Sequence, residues 1–411
     1  MGSPALSSSP TPAAGSGASP SGPSWMRTWA SPPMAGSCGS RASTRAERGG
    51  RPGSVTDEGK PPTLDAGTGG PSANRAHMTP REIVRASMEF AGPRRIAYGM
   101  GGGFPSDLRG VGHSPPHNSR ARGWQDHGAY WDMIDEWGNE WRRLEAITKG
   151  EVYKGVIQES WDLLETYQWP QLDAAELYEA TRTRTKELHD EGYFVMGGMR
   201  WPFDVARYMR GMENFLADCA GDKERVKDLM GRVTDILERQ IYRYADAGVD
   251  AVMSGEDWGT QDRLLVSPAA FREIFLPCFE RLCGAAHSRG LYVWFHSCGY
   301  VKDVIGDWLE AGIDCCQFDQ PELHGIDFLA ENFGGKMHFW CPVDIQTTLQ
   351  TQDKRKIRNA AQEYVEKLGS YGGGFVAGYY GSNEALGLEP EYQAVASEAF
   401  MEYGDPAPTS R

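Results

Sequence analysis

The sequence lacks an apolar run of about 18 residues, the length that a transmembrane helix requires. It also lacks, near its start, the run of roughly 7–15 apolar residues that a secretory signal contains. We therefore expect a cytoplasmic protein without a membrane span. Cysteine is scarce, with 8 residues in 411, and a large chain without a secretion signal is not expected to form disulfides.

Positive charge is also in short supply. Lys and Arg total 42 against 56 Asp and Glu, for a formal net charge of −14. Residues 1–77 carry seven Lys or Arg and four Asp or Glu, so the remainder carries −17. A negatively charged domain disfavours nucleic-acid binding, and it also disfavours binding of a polyanionic substrate by electrostatic attraction alone. We expect a small-molecule substrate and neither a nucleic-acid nor a membrane partner; a homodimer is one option for the assembly.

The chain divides by composition into three parts. Residues 1–77 are rich in Ser, Pro, Gly and Ala and lack aliphatic periodicity, which predicts a disordered extension. Met78 looks like a natural start, because Thr79 and Pro80 can cap a helix directly after it. Residues 78–404 suffice for one large α/β domain, and residues 405–411 are expected to be a flexible tail.

Apolar strands alternate with helices along this domain. The predicted strands are residues 94–98, 193–198, 250–253, 291–296, 314–318, 337–341 and 374–378. The predicted helices begin with one after Thr79 and continue over about 174–189, 202–217, 222–247, 268–289, 301–311, 325–333, 353–369 and 389–402. Helices between strands imply parallel pairing, and seven or eight such units predict a (β/α)8 TIM barrel.

Three segments interrupt the alternation. Residues 101–103 form a glycine run without the phosphate-binding spacing, which predicts a flexible loop. Residues 104–128 have no periodicity and predict a long loop. The aromatic-rich segments 135–141 and 161–170 predict a small sheet and a helix over one mouth of the domain.

Polar residues cluster directly after the predicted strands. Because parallel strands of a barrel end on one face, these side chains are expected to share one site. They are Glu256, Asp257, His296, Cys298, Asp319, Asp344 and Tyr379. For Asp319 and Asp344, simple helix capping is the structural alternative.

The pair His296 and Cys298 suggests zinc, because imidazole and thiolate are both good Zn²⁺ ligands. Cys341 ends another strand and is the best-placed sulfur for a third ligand. Glu256 or Asp257 is the oxygen alternative. In the reading without metal, His296 contacts substrate through a hydrogen bond and Cys298 is a small buried thiol.

Several motifs are spaced as in the uroporphyrinogen decarboxylase-like superfamily, which the chain resembles over about residues 78–404. They include Glu256-Asp257-Trp258-Gly259-Thr260-Gln261, His296-Ser297-Cys298-Gly299 and Phe339-Trp340-Cys341-Pro342-Val343-Asp344. The superfamily also contains corrinoid-dependent methyltransferases and is related to cobalamin-independent methionine synthase. The resemblance implies a (β/α)8 barrel with its site at the carboxyl ends of the strands.

The methyltransferase branch is the better match. Uroporphyrinogen decarboxylases resemble one another in an N-terminal Met-Arg-Gln-Ala-Gly-Arg motif, whereas this chain has Gly-Met-Gly-Gly-Gly-Phe after Tyr98. The methyltransferase zinc site uses His-x-Cys-Gly, which His296, Cys298 and Gly299 match. A later Cys follows the last strand in that branch, but Tyr379 stands there in this chain. Cys341 or Glu256 is then the candidate third ligand.

The sequence supports three hypotheses. The first is zinc-assisted methyl transfer, in which zinc activates a thiol acceptor or polarises a methoxy or methylamine donor. The corrinoid is expected on a partner protein, because no Asp-x-His-x-x-Gly segment is present. The second is a cofactor-free decarboxylase in which Asp257 or Asp319 stabilises a protonated pyrrole. The third is a ligand-binding barrel without turnover. The candidate substrate contacts are Tyr98, Arg207, Arg210, Trp258 and Gln320.

Overall fold

The computed structural model describes residues 77–146 and 148–405. The predicted extension, residues 1–77, lies outside the described residues apart from residue 77. The predicted tail, residues 405–411, lies outside them apart from residue 405. None of the helices in the described ranges combines the length and the apolar character that a membrane crossing requires.

The strands and helices alternate over most of the described chain. The strands are β1 (Ala97–Gly99), β2 (Leu108–Val111), β3 (Arg122–Asp126), β4 (Trp131–Ile134), β5 (Glu140–Arg143), β6 (Glu151–Lys154), β7 (Phe194–Gly198), β8 (Ala251–Gly255), β9 (Tyr292–His296), β10 (Cys315–Gln317), β11 (His338–Cys341) and β12 (Phe375–Gly378). The helices are α1 (Pro80–Met88), α2 (Leu163–Thr166), α3 (Glu179–Asp190), α4 (Pro202–Arg210), α5 (Met212–Gly221), α6 (Lys223–Asp246), α7 (Pro268–Ala270), α8 (Leu276–Ser288), α9 (Ile305–Ala311), α10 (Ile326–Phe333), α11 (Lys354–Leu368), α12 (Asn383–Leu386) and α13 (Pro390–Gly404). A π-helical turn, Phe271–Phe275, joins α7 to α8.

Eight parallel strands build the barrel in the order β1-β12-β11-β10-β9-β8-β7-β2. Asp107 connects the two ends of this sheet. Its backbone N–H donates to the carbonyl of Tyr98 at 2.7 Å, and its carboxylate accepts from the N–H of Tyr98 at 2.8 Å. The predicted (β/α)8 TIM barrel is therefore confirmed.

The interior of the barrel is packed with alternate residues of the strands, as the two-residue period of a strand requires. Phe194, Met196, Met253 and Trp294 belong to this inner cluster. The intervening residues of the same strands pack outward against the helices. The inner cluster fills the barrel below the carboxyl ends of its strands, which leaves those ends for a site.

Helix α1 closes the amino-terminal end of the barrel, since its Ile83 and Val84 are fully buried in the same inner cluster. Thr79 caps this helix: its hydroxyl accepts from the N–H of Glu82 at 3.3 Å, and the Glu82 carboxylate accepts from the N–H of Thr79 at 2.7 Å. The predicted start of the helix is confirmed.

Three sequence predictions are corrected. The predicted loop 104–128 contains β2, an eighth barrel strand, and β3. Strand β2 reads Leu-Arg-Gly-Val, which carries no alternation, and it forms because it pairs in parallel with β7. The predicted helix 202–217 is two helices, broken at Gly211 with φ of +80°. The predicted helix 301–311 begins only at Ile305.

A small sheet of four antiparallel strands, β3 to β6, is present. It extends well beyond the predicted segment 135–141, which contributes only its last two residues to β5, and the predicted segment 161–170 contains helix α2. Trp141 of β5 is buried, and its ring centroid lies 4.7 Å from that of Tyr208 on α4. Because α4 follows the carboxyl end of β7, this contact places the sheet beside the carboxyl face of the barrel.

Candidate functional site

The site candidates converge at the carboxyl ends of neighbouring strands. His296 is the last residue of β9, Asp257 follows β8 by two positions, and Cys298 follows β9 by two. Their ligand atoms all lie within 4.8 Å of one another. Within residues 77–146 and 148–405, no other three His, Cys, Asp or Glu side chains come this close. We call these three residues the triad.

Within the triad, Nε2 of His296 faces both partners. It lies 3.2 Å from Sγ of Cys298 and 3.7 Å from Oδ1 of Asp257. His296 is fully buried, whereas the Asp257 side chain is 26 % exposed and Cys298 is half-buried. A ligand approaching from the mouth of the barrel therefore meets Asp257 and Cys298, with the imidazole behind them.

Gln317, the last residue of β10, holds the other side of the His296 ring. Its amide oxygen is hydrogen-bonded to Nδ1 of His296, and its amide nitrogen donates to Oδ1 of Asp319 at 2.9 Å. Sequence reasoning missed Gln317. A signal was available, because an amide at an inward position of a barrel strand is out of place unless it has a polar neighbour.

The triad fits a zinc ion. Nitrogen, sulfur and carboxylate oxygen are the usual zinc donors, with bonds of about 2.0–2.3 Å. Tetrahedral geometry then separates neighbouring donor atoms by roughly 3.3–3.6 Å. The distances from Nε2 of His296, 3.2 Å to Sγ of Cys298 and 3.7 Å to Oδ1 of Asp257, lie just below and just above that range. Three protein ligands would leave one position open, as in catalytic zinc sites.

The pKa values of the carboxylate and the thiol of the triad are shifted in opposite directions. Burial alone would raise the pKa of Asp257, but the adjacent imidazole of His296 and the charges of Lys149 and Arg207 hold it well below its usual range. Burial, with the nearby Asp257 and Asp319 carboxylates, raises the pKa of Cys298 well above its ordinary value. The site therefore offers a carboxylate beside a protonated thiol, and binding of a metal would displace the thiol proton.

Cys341 and Glu256, the predicted third ligands, are not brought into the triad. Cys341 is fully buried and packs in the outer layer with Phe339, whereas Trp340 between them packs inward. Glu256 is buried, and both of its oxygens are occupied. They accept from the N–H of Asp204 at 2.9 Å and from Nε1 of Trp258 at 3.0 Å.

Glu256 thus ties β8 to the first turn of α4. Burial and the adjacent carboxylate of Asp204 raise the pKa of Glu256 well above its ordinary value. Trp258, a predicted substrate contact, is fully buried and stacks on Phe203 of α4 at 3.9 Å between ring centroids.

The two predicted arginines are engaged within the protein. Nε of Arg207 donates to Asp204 at 2.8 Å, and the side chains of both residues are buried. Nε of Arg210 donates to Asp218 at 2.8 Å, and its Nη1 donates to the carbonyl of Gln158 at 2.8 Å.

Asp319 and Asp344 lie in different settings. Asp319 is buried next to Gln317, and its burial raises its pKa. Oδ1 of Asp344 accepts from the N–H groups of Gln346 and Thr347, each at 2.9 Å, so this carboxylate caps the turn after β11. Burial raises the pKa of Asp344 as well.

The three remaining predicted site residues, the candidate catalytic Tyr379 and the candidate substrate contacts Gln320 and Tyr98, lie around the mouth or at the barrel seam. The amide oxygen of Gln320 accepts from the N–H of Gly299 at 3.3 Å. Tyr379 packs on Gly102, where a side chain would overlap its ring. Tyr98 is buried at the seam under Arg95, and its burial raises its pKa to about 12.

Two cationic side chains of the site were missed as well. Lys149 lies on the loop between β5 and β6. Burial alone would lower the pKa of Lys149, but the nearby Tyr208, Asp257 and Asp204 outweigh it. The pKa is raised overall, so the amine stays charged. Arg200 follows β7, and one of its nitrogens lies 3.9 Å from Asp204. No local sequence pattern marks either residue. Lys149 lies near Asp257 only because the small sheet packs beside the carboxyl ends of the barrel strands.

Buried Tyr380 is a further neighbour of the triad. Burial raises its pKa above the ordinary value, and the carboxylate of Asp319 and the sulfur of Cys298 add to the rise. The backbone of Tyr380 is fixed by Gln393, which accepts from its N–H at 2.8 Å and donates to its carbonyl at 3.0 Å. The phenol of Tyr380 is therefore protonated, and the backbone that holds it is fixed by hydrogen bonds.

The uroporphyrinogen decarboxylase (URO-D) family model matches residues 149–403, which is more than half of the chain. The chain therefore belongs to the uroporphyrinogen decarboxylase family. This confirms the resemblance drawn from the motifs. The family includes methyltransferases as well as decarboxylases. No curated protein sequence matches the chain.

Several solved structures are similar to this chain. A methyltransferase from Methanosarcina mazei shares 16 % identity, with 80 % of this chain and 88 % of that chain covered and a TM-score of 0.49. A D-psicose 3-epimerase shares 11 % identity, with 58 % and 87 % covered and a TM-score of 0.37. A chitinase from Chromobacterium violaceum shares 13 %, with 53 % and 84 % covered and a TM-score of 0.31. With TM-scores this low, none of them carries an argument about activity.

Proposed function

We propose that this protein is a zinc-assisted methyltransferase that moves a methyl group between a small methylated donor or thiol and a corrinoid carried on a partner protein. The observation that carries the proposal is the convergence of Asp257, His296 and Cys298 at the carboxyl face of a uroporphyrinogen decarboxylase-family barrel. A donor set of nitrogen, sulfur and oxygen with one open position is suited to a catalytic zinc ion.

When bound, zinc supplies Lewis-acid chemistry: it lowers the pKa of a thiol or polarises the heteroatom of a methoxy or methylamine donor. His296 would hold the metal from behind, and Asp257 and Cys298 from the more exposed side. The positive charge of Lys149 favours the ionised form of Asp257. Buried Trp258 and Tyr380 exclude water from the walls of the site.

The donor and the acceptor remain alternatives within this proposal. A thiol acceptor would need its proton removed, whereas a methoxy donor would need a proton at its leaving oxygen. The protonated phenol of Tyr380 suits the second case. The corrinoid is assigned to a separate protein, because the chain has no Asp-x-His-x-x-Gly segment.

Metal analysis and a methyl-transfer assay test the proposal together. We expect one zinc ion per chain in the unmodified protein and none in His296→Ala. With methylcobalamin as the corrinoid probe, loss of its methyl group to a small thiol should require the metal. Absence of zinc from the unmodified protein, after supplementation, would overturn the proposal.

A cofactor-free decarboxylase is the second candidate, and Lys149 and Arg200 favour it. The charge of Lys149 acts on Asp257 and Asp204, and Arg200 lies 3.9 Å from Asp204, so the two cations could hold a substrate carboxylate in an otherwise acidic protein. Asp257 stays ionised and could stabilise a protonated pyrrole. Release of carbon dioxide from uroporphyrinogen by the metal-free protein would support this candidate, and no release at high enzyme concentration would count against it.

A further inference from the structure

Gln317 connects two of the predicted site residues, His296 and Asp319. It is the last residue of β10, and the parallel register pairs it directly with His296, the last residue of β9. The two side chains therefore stand next to each other on the inner face of the barrel. The backbone N–H of Ser297 also donates to the carbonyl of Gln317, at 3.4 Å.

The direction of the Gln317 amide follows from its two partners. Its Nε2 donates to the carboxylate of Asp319 at 2.9 Å. The opposite end of the amide is then Oε1, which can only accept, so Nδ1 of His296 must donate to it. The proton of a neutral His296 is thereby placed on Nδ1. Its Nε2 lone pair is left facing Cys298 and Asp257.

This arrangement matters because a metal-binding imidazole must present a bare nitrogen in a fixed direction. Partners of the second ring nitrogen set the tautomer and the ring orientation of such ligands. Asp319 reaches the ring through Gln317, since the carboxylate bonds the amide and the amide bonds Nδ1. Its place in the site is therefore that of a support for the amide.

We propose that Gln317 is a positioning residue that fixes the Nδ1–H tautomer of His296 and aims its Nε2 at the triad, with Asp319 as its anchor. The effect on metal binding rests on the proposed function. The effect on the tautomer does not, because it follows from the protein's own hydrogen bonds.

Two variants of the full chain test this role. Gln317→Leu removes both hydrogen bonds, whereas Gln317→Glu keeps an acceptor for Nδ1 of His296. Gln350→Leu is the matched control, because it removes amide contacts to the carbonyls of Ile345 and Leu386, away from the triad.

The first measurement is the tautomer of His296 in the metal-free protein, from ¹⁵N–¹H NMR at alkaline pH, with His296→Ala to assign the signal. We expect the Nδ1–H form in the unmodified protein, in Gln317→Glu and in Gln350→Leu. Gln317→Leu should show the Nε2–H form or a mixture. An Nε2–H form in the unmodified protein, or no change in Gln317→Leu, would overturn the proposal.

The second measurement is zinc affinity, by competition with a chelator, together with the visible spectrum of the cobalt-substituted protein. We expect Gln317→Leu to weaken zinc binding by about 10- to 100-fold and to alter the cobalt spectrum. Gln317→Glu should recover most of the affinity, and Gln350→Leu should match the unmodified protein. Unchanged affinity and spectrum in Gln317→Leu would overturn the metal part. If the unmodified protein binds no zinc, the proposed function fails, and the tautomer still decides the role of Gln317.

Discussion

Oδ1 of Asp257 lies 3.7 Å from Nε2 of His296, on the side of the imidazole that also faces Cys298. This relationship makes Asp257, which the sequence offered only as the oxygen alternative, the candidate for the third zinc ligand. The oxygen of Asp257 and the sulfur of Cys298 converge on one nitrogen. A divalent cation among the three atoms satisfies such an arrangement.

The first prediction concerns that third ligand. We expect Asp257→Ala to lower zinc affinity by more than the roughly 10–100-fold that is typical of changes outside the ligand set. Cys341→Ala should leave the zinc content unchanged, because Cys341 packs in the outer layer. Metal analysis after dialysis against a weak chelator compares the two variants. Zinc loss in Cys341→Ala but not in Asp257→Ala would contradict the assignment.

Most of the barrel was predictable because its strands are buried and hydrophobic. Seven predicted strands match observed strands, with ends that differ by at most three residues. Strand β2 could not be predicted, since Leu108–Val111 includes Arg109 and Gly110 and is specified by its pairing with β7. The order of strands at the seam likewise depends on Asp107, whose role is visible only in the fold.

The site was predictable only in part, for geometric reasons. His296 and Cys298 are close in sequence, and the structure brings their side chains together. Cys341 was taken as the best-placed third sulfur, although alternation along β11 turns it away from the side on which Trp340 lies. Lys149 reaches Asp257 through a separate sheet. Long-range placement of this kind leaves no trace in local spacing.

The second prediction concerns Arg207, which pairs with Asp204 while both side chains are buried. Removing one partner of a buried ion pair leaves an uncompensated charge, so Arg207→Met should lower the free energy of unfolding by about 3–5 kcal/mol. The double variant Arg207→Met/Asp204→Asn should recover part of that loss. Urea denaturation measures both. If Arg207→Met raises KM for substrate and leaves stability unchanged, Arg207 binds substrate instead.

The third prediction separates the two ends of the barrel. Asp250 is buried at the amino-terminal end and accepts from Arg81 at 2.7 Å, from Arg85 at 3.1 Å and from the N–H of Val195 at 3.0 Å. Each hydrogen bond to a charged group contributes about 1.5–3 kcal/mol. Asp250→Ala removes several such bonds and should therefore lower the free energy of unfolding by at least about 1.5–3 kcal/mol.

Zinc content per folded Asp250→Ala chain should nevertheless stay at the unmodified level, because this end of a barrel serves stability. Exposed Asp262→Ala is the matched control and should leave the denaturation curve in place. A folded Asp250→Ala protein that loses its metal would show that the two ends are coupled.

The fourth prediction is a pH dependence of stability that arises from His324. This imidazole is 2 % exposed, and its Nδ1 has no hydrogen-bond partner among the described residues. Burial, with the nearby charge of Lys302, lowers the pKa of His324 from 6.5 to about 4. Between these values the unfolded chain takes up a proton and the folded chain does not. Stability from this group is therefore complete above pH 6.5 and is lost as pH falls toward 4, by about 3 kcal/mol in total.

His324→Phe should remove this dependence, since Phe318 already packs on the ring with 4.6 Å between centroids. The measurement is the unfolding free energy from urea denaturation at several pH values, compared as the difference between variant and unmodified protein. The difference should shift in favour of His324→Phe as pH falls from 6.5 to 4. His287 provides a control of opposite sign, because its hydrogen bond to Asp314 raises its pKa and its stabilisation is lost as pH rises. His287→Asn should therefore gain on the unmodified protein as pH rises. A difference between His324→Phe and the unmodified protein that does not change over this range would show that His324 can take up its proton in the folded barrel.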